Sequence, residues 1–312
     1  MMSREIPHTT PPQWPANLNT ALLASRVQRE YSPECKIAII GLADDTGVRM
    51  NNGRPGAADG PRAFREAFSR YGVAEPDGFD WPVVFDAGDV LAASPEQRTE
   101  AALNETHRRV TEAVAAILER GMFPIAIGGG HDLTFPFVRA VAQHRASRGE
   151  PALAGLYCDA HLDVRDTAGS GMPFRRLIED CGVGPLEIHG FNPLANRREH
   201  VEWFLSHGGR IGGATPPYDM RTQPAVPEWF GPCFASFDVD VIDAAFAPGV
   251  SAINPCGWTP TFAAAWCDVL GADLRVQCFD LMEFNPAHDE GGRTARLVAH
   301  LFLSFLSGFT RR

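Results

Sequence analysis

The sequence predicts an α/β fold: a three-layer α/β/α arrangement with a mainly parallel central sheet. Three observations predict it. Short apolar runs alternate with longer helical patterns from residue 36 to the end. Several of those runs are continuously apolar, as strands covered on both faces require. Three of them are followed at once by acidic or imidazole residues, at the strand ends where such folds bind ligands.

The elements follow in order. Residues 1–34 are rich in Pro and polar side chains and read as a surface extension. Strands are expected at 36–41, 82–86, 123–127, 153–158, 186–189, 233–237 and 275–279. Residues 98–120 carry Leu103, His107, Val110, Val114 and Ile117 at spacings of four and three, one face of a helix, with Gly121 as its stop. Thr259-Pro260 is an N-cap with Pro at the first helical position, opening a helix over 259–270. Leu297, Leu301 and Phe305 form the stripe of a last helix over 292–309. Strands alternating with helices imply crossovers and parallel pairing. No repeat, low-complexity tract or linker divides the remainder, so residues 35–312 read as a single domain.

Composition narrows the function. The 312 residues are 45% hydrophobic and 21% charged, ordinary for a soluble globular protein. A formal charge of -10 argues against nucleic acid, whose phosphates need a basic face. The seven cysteines form no C-x-x-C pair, and Cys158, Cys233 and Cys278 sit in strand-like runs as small core residues. That usage fits a reducing cytoplasm. The N-terminus has no apolar signal core, and no window approaches the length of a membrane span. A cytoplasmic protein with no membrane partner is expected.

The chemistry lies in three clusters. His131 ends Gly128-Gly129-Gly130-His131; Asp159, His161 and Asp163 form D-x-H-x-D; Asp238 and Asp240 form D-x-D. The two-residue period sets each group on one side of an extended segment. Four carboxylates and two imidazoles at converging strand ends repel one another unless cations lie between them. Oxygen and imidazole donors suit Mn²⁺, with Zn²⁺, Ni²⁺ and Co²⁺ as competitors. Two cations about 3.5–4 Å apart can share one water and lower its pKa, the arrangement of a two-metal hydrolase. The glycine run lacks the Lys-Ser/Thr of a phosphate-binding loop and the spacing of a dinucleotide fingerprint.

Ser236-Phe237-Asp238-Val239-Asp240-Val241-Ile242-Asp243, Ala247-Pro248-Gly249-Val250 and Met282-Glu283-Phe284-Asn285-Pro286 complete a set that resembles the ureohydrolase (arginase/agmatinase) superfamily from about residue 36 onward. The resemblance implies an arginase-like fold, two Mn²⁺ per subunit, and hydrolysis of a C–N bond in a guanidinium or amidine. One metal would be held by His131, Asp159, Asp163 and Asp238. The other would take Asp159, His161, Asp238 and Asp240, so that Asp159 and Asp238 bridge. Glu283 would grip the cationic amidine, whose parallel N–H donors match a carboxylate. Members of the superfamily are usually homo-oligomers.

Within it, arginases and agmatinases carry a His ten to fifteen residues after D-x-H-x-D. This chain has Ser170-Gly171-Met172-Pro173-Phe174-Arg175 there and no His between His161 and His189. That form resembles the formimidoylglutamases. So do Gly47-Val48-Arg49-Met50-Asn51-Asn52-Gly53-Arg54-Pro55-Gly56-Ala57 and Asp289-Glu290-Gly291-Gly292-Arg293-Thr294-Ala295-Arg296-Leu297, the last with its second acid shifted. Asp132 stands where many of them have Glu. The expected reaction is cleavage of N-formimidoyl-L-glutamate to L-glutamate and formamide, a step of histidine degradation. Asp163 or a bridging carboxylate would pass the proton to the leaving amine. A substrate with two carboxylates wants a basic rim, and Arg is the preferred fork. Arg165, two residues past Asp163, is the first candidate; Arg54, Arg175 and Arg49 follow, with Ser170 in the same loop. A guanidino-acid hydrolase is the runner-up, then an agmatinase or arginase releasing urea. The other histidines read as structural: His189 in a strand, His107 and His144 on helical patterns, and His200, His207, His288 and His300 without a partner that spacing reveals.

Overall fold

The computed structural model describes residues 6–72, 74, 82–212, 224–228 and 231–312. The strands and helices run β1 (Thr9–Thr10), β2 (Ile37–Ala43), α1 (Thr46–Met50), α2 (Gly60–Phe68), β3 (Val84–Leu91), α3 (Glu100–Leu118), β4 (Phe123–Gly128) and α4 (Thr134–Ser147). They continue β5 (Ala154–Cys158), α5 (Pro173–Cys181), β6 (Leu186–His189), α6 (Arg198–Ser206), β7 (Arg210–Ile211), β8 (Cys233–Asp238), α7 (Pro260–Ala272), β9 (Val276–Met282) and α8 (Arg293–Phe309). All seven expected strands form within a few residues of their expected bounds. The two-residue strands β1 and β7 carry no pattern a sequence could show.

One sheet holds every strand, in the order β1-β3-β2-β4-β9-β8-β5-β6-β7. Among the described strands only β1 pairs antiparallel, against β3. Alternate strand residues feed two cores. Ile37, Ile39, Ile125, Ile127 and Phe279 pack with α2, α7 and α8. Ala38, Ile40, Ala126, Tyr157 and Phe234 pack with α3, α4, α5 and α6. This is the three-layer arrangement, and it buries the strands on both sides.

Local chemistry starts and stops the helices where expected. Thr99 caps α3 by accepting from the Ala102 amide, and Thr259 caps α7 by accepting from Phe262. Leu103, His107, Val110, Val114 and Ile117 all face the core from α3. Gly292 opens α8 at φ 69°, and the Asp289 carboxylate takes the Thr294 and Ala295 amides at 3.0 Å each.

The extension, residues 6–34, runs over the surface, and a few side chains dock it to the domain. Ile6, Leu23, Ala24 and Val27 are buried, β1 extends the sheet, and the Trp14 indole packs on Phe68 and donates to Asp86 at 2.9 Å. The apolar residues that dock it are scattered without helical or strand period, so the Pro-rich background hid them. Asp86 with Asp89 also clamps the buried Arg65 guanidinium at 2.7 Å each. Thus β3, α2 and the extension share one buried ion cluster.

Candidate metal centre

The three clusters converge at the carboxyl ends of β4, β5 and β8. His131 follows β4 in a single helical turn, Asp159 follows β5, and Asp238 ends β8. His131 Nδ1 lies 3.1 Å from carboxylate oxygens of Asp159, Asp163 and Asp238. His161 Nδ1 lies 3.1 Å from Asp240 and 3.5 Å from Asp159. Two groups able to hold a metal result: His131 with Asp159, Asp163 and Asp238, and Asp159 with His161 and Asp240. Asp159 belongs to both. Asp238 closes only the first group by this geometry, so its expected bridging role is not drawn by the side chains alone.

The arrangement carries a charge problem that a cation solves. Burial, then the neighbouring carboxylates, push Asp159 and Asp238 above the usual carboxylate range. Burial opposes an imidazolium at His131, yet its three carboxylate neighbours together push it well upward. The cluster therefore draws in positive charge. Its buried His131 Nδ1, Asp159 Oδ2 and Asp240 Oδ1 have no hydrogen-bond partner.

The far side of His131 explains which nitrogen faces the carboxylates. Its Nε2 sits 3.0 Å from Ser236 Oγ, and Ser236 donates to Asp280 at 2.6 Å. Thr134 donates to the other Asp280 oxygen at 3.0 Å. Burial pushes Asp280 up only to about 6, so it is ionised at neutral pH and can only accept. Ser236 has then given away its proton and must accept from His131 Nε2–H. A cation entering among the carboxylates would displace the Nδ1 proton and take that lone pair, with Nε2–H kept on Ser236, the tautomer a metal ligand needs. Oxygen donors with two imidazoles fit Mn²⁺, and no cysteine points in.

Backbone strain concentrates here. Asp163 and Glu283 take φ of 47° and 64°, two of four non-glycine residues with positive φ among those described. The glycine run is steric: a Cβ on Gly129 would fall 1.9 Å from the Asp44 carbonyl oxygen. Glu283 accepts the His131 amide at 2.7 Å, and burial pushes its carboxyl up to about 8.

A cavity of about 230 Å³ opens above the clusters. Its floor is Asp163, Asp238, Asp240, His161 and Glu283. Of the expected substrate contacts, Arg165 and Ser170 line it, but Arg54 and Arg175 do not. Arg54 is spent on the carbonyls of Pro248, Val250 and Ser251. Arg175 pairs with Glu179 at 3.0 Å and stacks on Trp203. Both are corrections: each guanidinium braces a loop or a helix. Arg49 likewise binds Asp45 at 2.7 Å. Ser170 is held by Asn51, whose amide satisfies both its ends when Oδ1 takes the Ser170 and Gly171 amides at 3.1 and 2.8 Å.

Among the lining residues the sequence did not single out are Asn196, Arg197 and His200, around the start of α6. They sit far from the motifs along the chain, and nothing in their spacing marks them. His107 was read as structural and is so, buried at 2.9 Å from Asp132 beside the His131 turn.

Fold and site together define a metal-dependent α/β hydrolase scaffold, and a family model fixes its kind. The model for the Arginase family matches residues 35–308, and the chain belongs to that family. Among its relatives, the formimidoylglutamase of Aromatoleum aromaticum is 32% identical over 295 residues, covering 88% of this chain and 84% of the relative. That of Geobacillus kaustophilus is 32% identical over 294 residues, covering 90% and 87%. The structure is similar to Trypanosoma cruzi formiminoglutamase with Mn²⁺, at a TM-score of 0.80 and 29% identity, covering 93% of this chain and 99% of that one.

Proposed function

We propose that this arginase-family hydrolase converts N-formimidoyl-L-glutamate and water to L-glutamate and formamide. Two Mn²⁺ ions, held by His131, Asp159, His161, Asp163, Asp238 and Asp240, would polarise a shared water and lower its pKa. One observation carries the reading beyond the relatives' names: the cavity has Glu283 beside the metal ligands at its floor and Arg165 on its wall. That polarity matches a molecule with a cationic amidine at one end and carboxylates at the other.

The chain's own groups then have distinct tasks. Glu283 spends Oε1 on the His131 amide; its carboxyl, which burial raises to about 8, ionises when a formamidinium docks, and Oε2 then takes the N–H groups. Asp163, strained and on the cavity floor, is placed to carry a proton to the departing glutamate nitrogen. Arg165 and the Ser170 hydroxyl face the glutamate part. The seven free cysteines, five of them buried, support a reducing cytoplasm as its compartment.

The test is a substrate panel with Mn²⁺-loaded protein: N-formimidoyl-L-glutamate, agmatine, L-arginine, 3-guanidinopropionate and 4-guanidinobutyrate. Glutamate and formamide from the first alone is the expected result. Urea from a guanidino compound would keep the metal centre and overturn the substrate.

A further inference from the structure

We propose that Arg197 and His200, at the entry and first turn of α6, join Arg165 as the wall that selects a substrate with two carboxylates. The inference rests on the substrate reading above and names residues that reading did not contain.

The cavity sorts charge by side. With the ions bound, the ligand carboxylates are balanced and Glu283 is the free acid of the floor, so a cationic amidine faces Glu283 and the acidic end turns toward the wall. Arg165, Arg197 and His200 are the basic groups of its lining other than the ligand His161. The remaining candidate arginines, Arg49, Arg54 and Arg175, are engaged elsewhere. Among the described residues the Arg165 guanidinium has no ion-pair partner. Arg197 meets Glu199 at 3.2 Å with both side chains largely exposed, a contact that water weakens and a substrate can displace. Two guanidinium forks for two carboxylates is the stoichiometry such a substrate needs.

The wall is also held in place. Asn196 accepts the Leu162 amide at 2.9 Å and donates to the carbonyls of Ala160 and Asn192 at 2.8 Å each. The Asn192 amide donates to Ala160 at 3.0 Å. The segment before α6 is thus stapled to the loop carrying Asp159, His161 and Asp163. Arg197 follows the staple directly, and His200 lies one turn on with its side chain 21% exposed. Contacts mounted this way lose little freedom when a ligand binds. Burial, with Arg165 and Arg197 nearby and Glu199 and Asp163 opposing them, holds His200 below its ordinary range. The same wall repels a substrate that is cationic at both ends.

The experiment is steady-state kinetics of wild type, Arg197→Ala, His200→Ala and Arg197→Lys, all Mn²⁺-loaded. The substrates are N-formimidoyl-L-glutamate, N-formimidoyl-4-aminobutyrate, which lacks the α-carboxylate, and N-formimidoyl-L-2-aminobutyrate, which lacks the side-chain carboxylate. Arg197→Ala is expected to raise KM for the di-acid by on the order of tenfold, with kcat within about twofold. One of the two mono-acids should be insensitive to the change, and that one identifies the carboxylate Arg197 holds. His200→Ala should show a smaller KM effect on the di-acid, and Arg197→Lys should restore part of the loss. Active wild type with variants that lose the same factor on all three substrates, or lose only kcat, overturns the wall and leaves the reaction standing. Wild type inactive on all three substrates overturns both.

Discussion

His131 is held from behind by a chain of proton donors that ends on an ionised carboxylate. Removing its middle member should loosen the imidazole without touching the carboxylates. Ser236→Ala is expected to weaken Mn²⁺ binding by about 10–100-fold, read by titrating metal into stripped protein, with unchanged far-ultraviolet circular dichroism. Asp240→Asn should instead remove one metal equivalent of two, seen by elemental analysis. These outcomes separate support from ligation. The ligands themselves were legible because each group is contiguous and the two-residue period aims them together. Ser236 was visible in its motif, but its task was not: it depends on Asp280, 44 residues further on. Arg54 and Arg175 misled for the opposite reason. A guanidinium in a motif loop looks the same in sequence whether it meets a ligand or a carbonyl.

The loops around the cavity are tied by amides. Asn196 joins the entry of α6 to the D-x-H-x-D loop, and Asn51 joins the segment after α1 to the Ser170 turn. Asn196→Ala leaves the Leu162 amide and two carbonyls to find water. It is expected to raise KM by several-fold and speed amide hydrogen exchange at 160–163 and 192–200, measured by mass spectrometry. The strand–helix alternation was legible since buried parallel strands are apolar throughout and the caps are local. The docking of residues 6–34 was not, because it uses single apolar side chains that reach a distant surface.

For the whole molecule, ligands from three strands make the bound ions part of the folded state. An ion at a hundredfold excess over its Kd should add about 2.7 kcal/mol of stability. Calorimetry with Mn²⁺ and then with a chelator should show the unfolding temperature rise and fall accordingly. Residues 6–34 belong to the same unit: Trp14→Ala is expected to lower stability by roughly 1–3 kcal/mol, seen in urea unfolding.

The order of strands across the sheet has a consequence for how the protein is made. β2, β3 and β4 lie to one side, β5, β6 and β7 to the other, and the middle belongs to β8 and β9, the last two synthesised. Two half-sheets therefore emerge from the ribosome with their inner edges bare. Neither can join its counterpart until both keystone strands arrive, and β9 follows β8 only after about 40 further residues. For most of translation the nascent polypeptide carries open, apolar β-edges of the kind that invite aggregation. Its dependence on chaperones should peak late and collapse once residue 282 clears the exit tunnel.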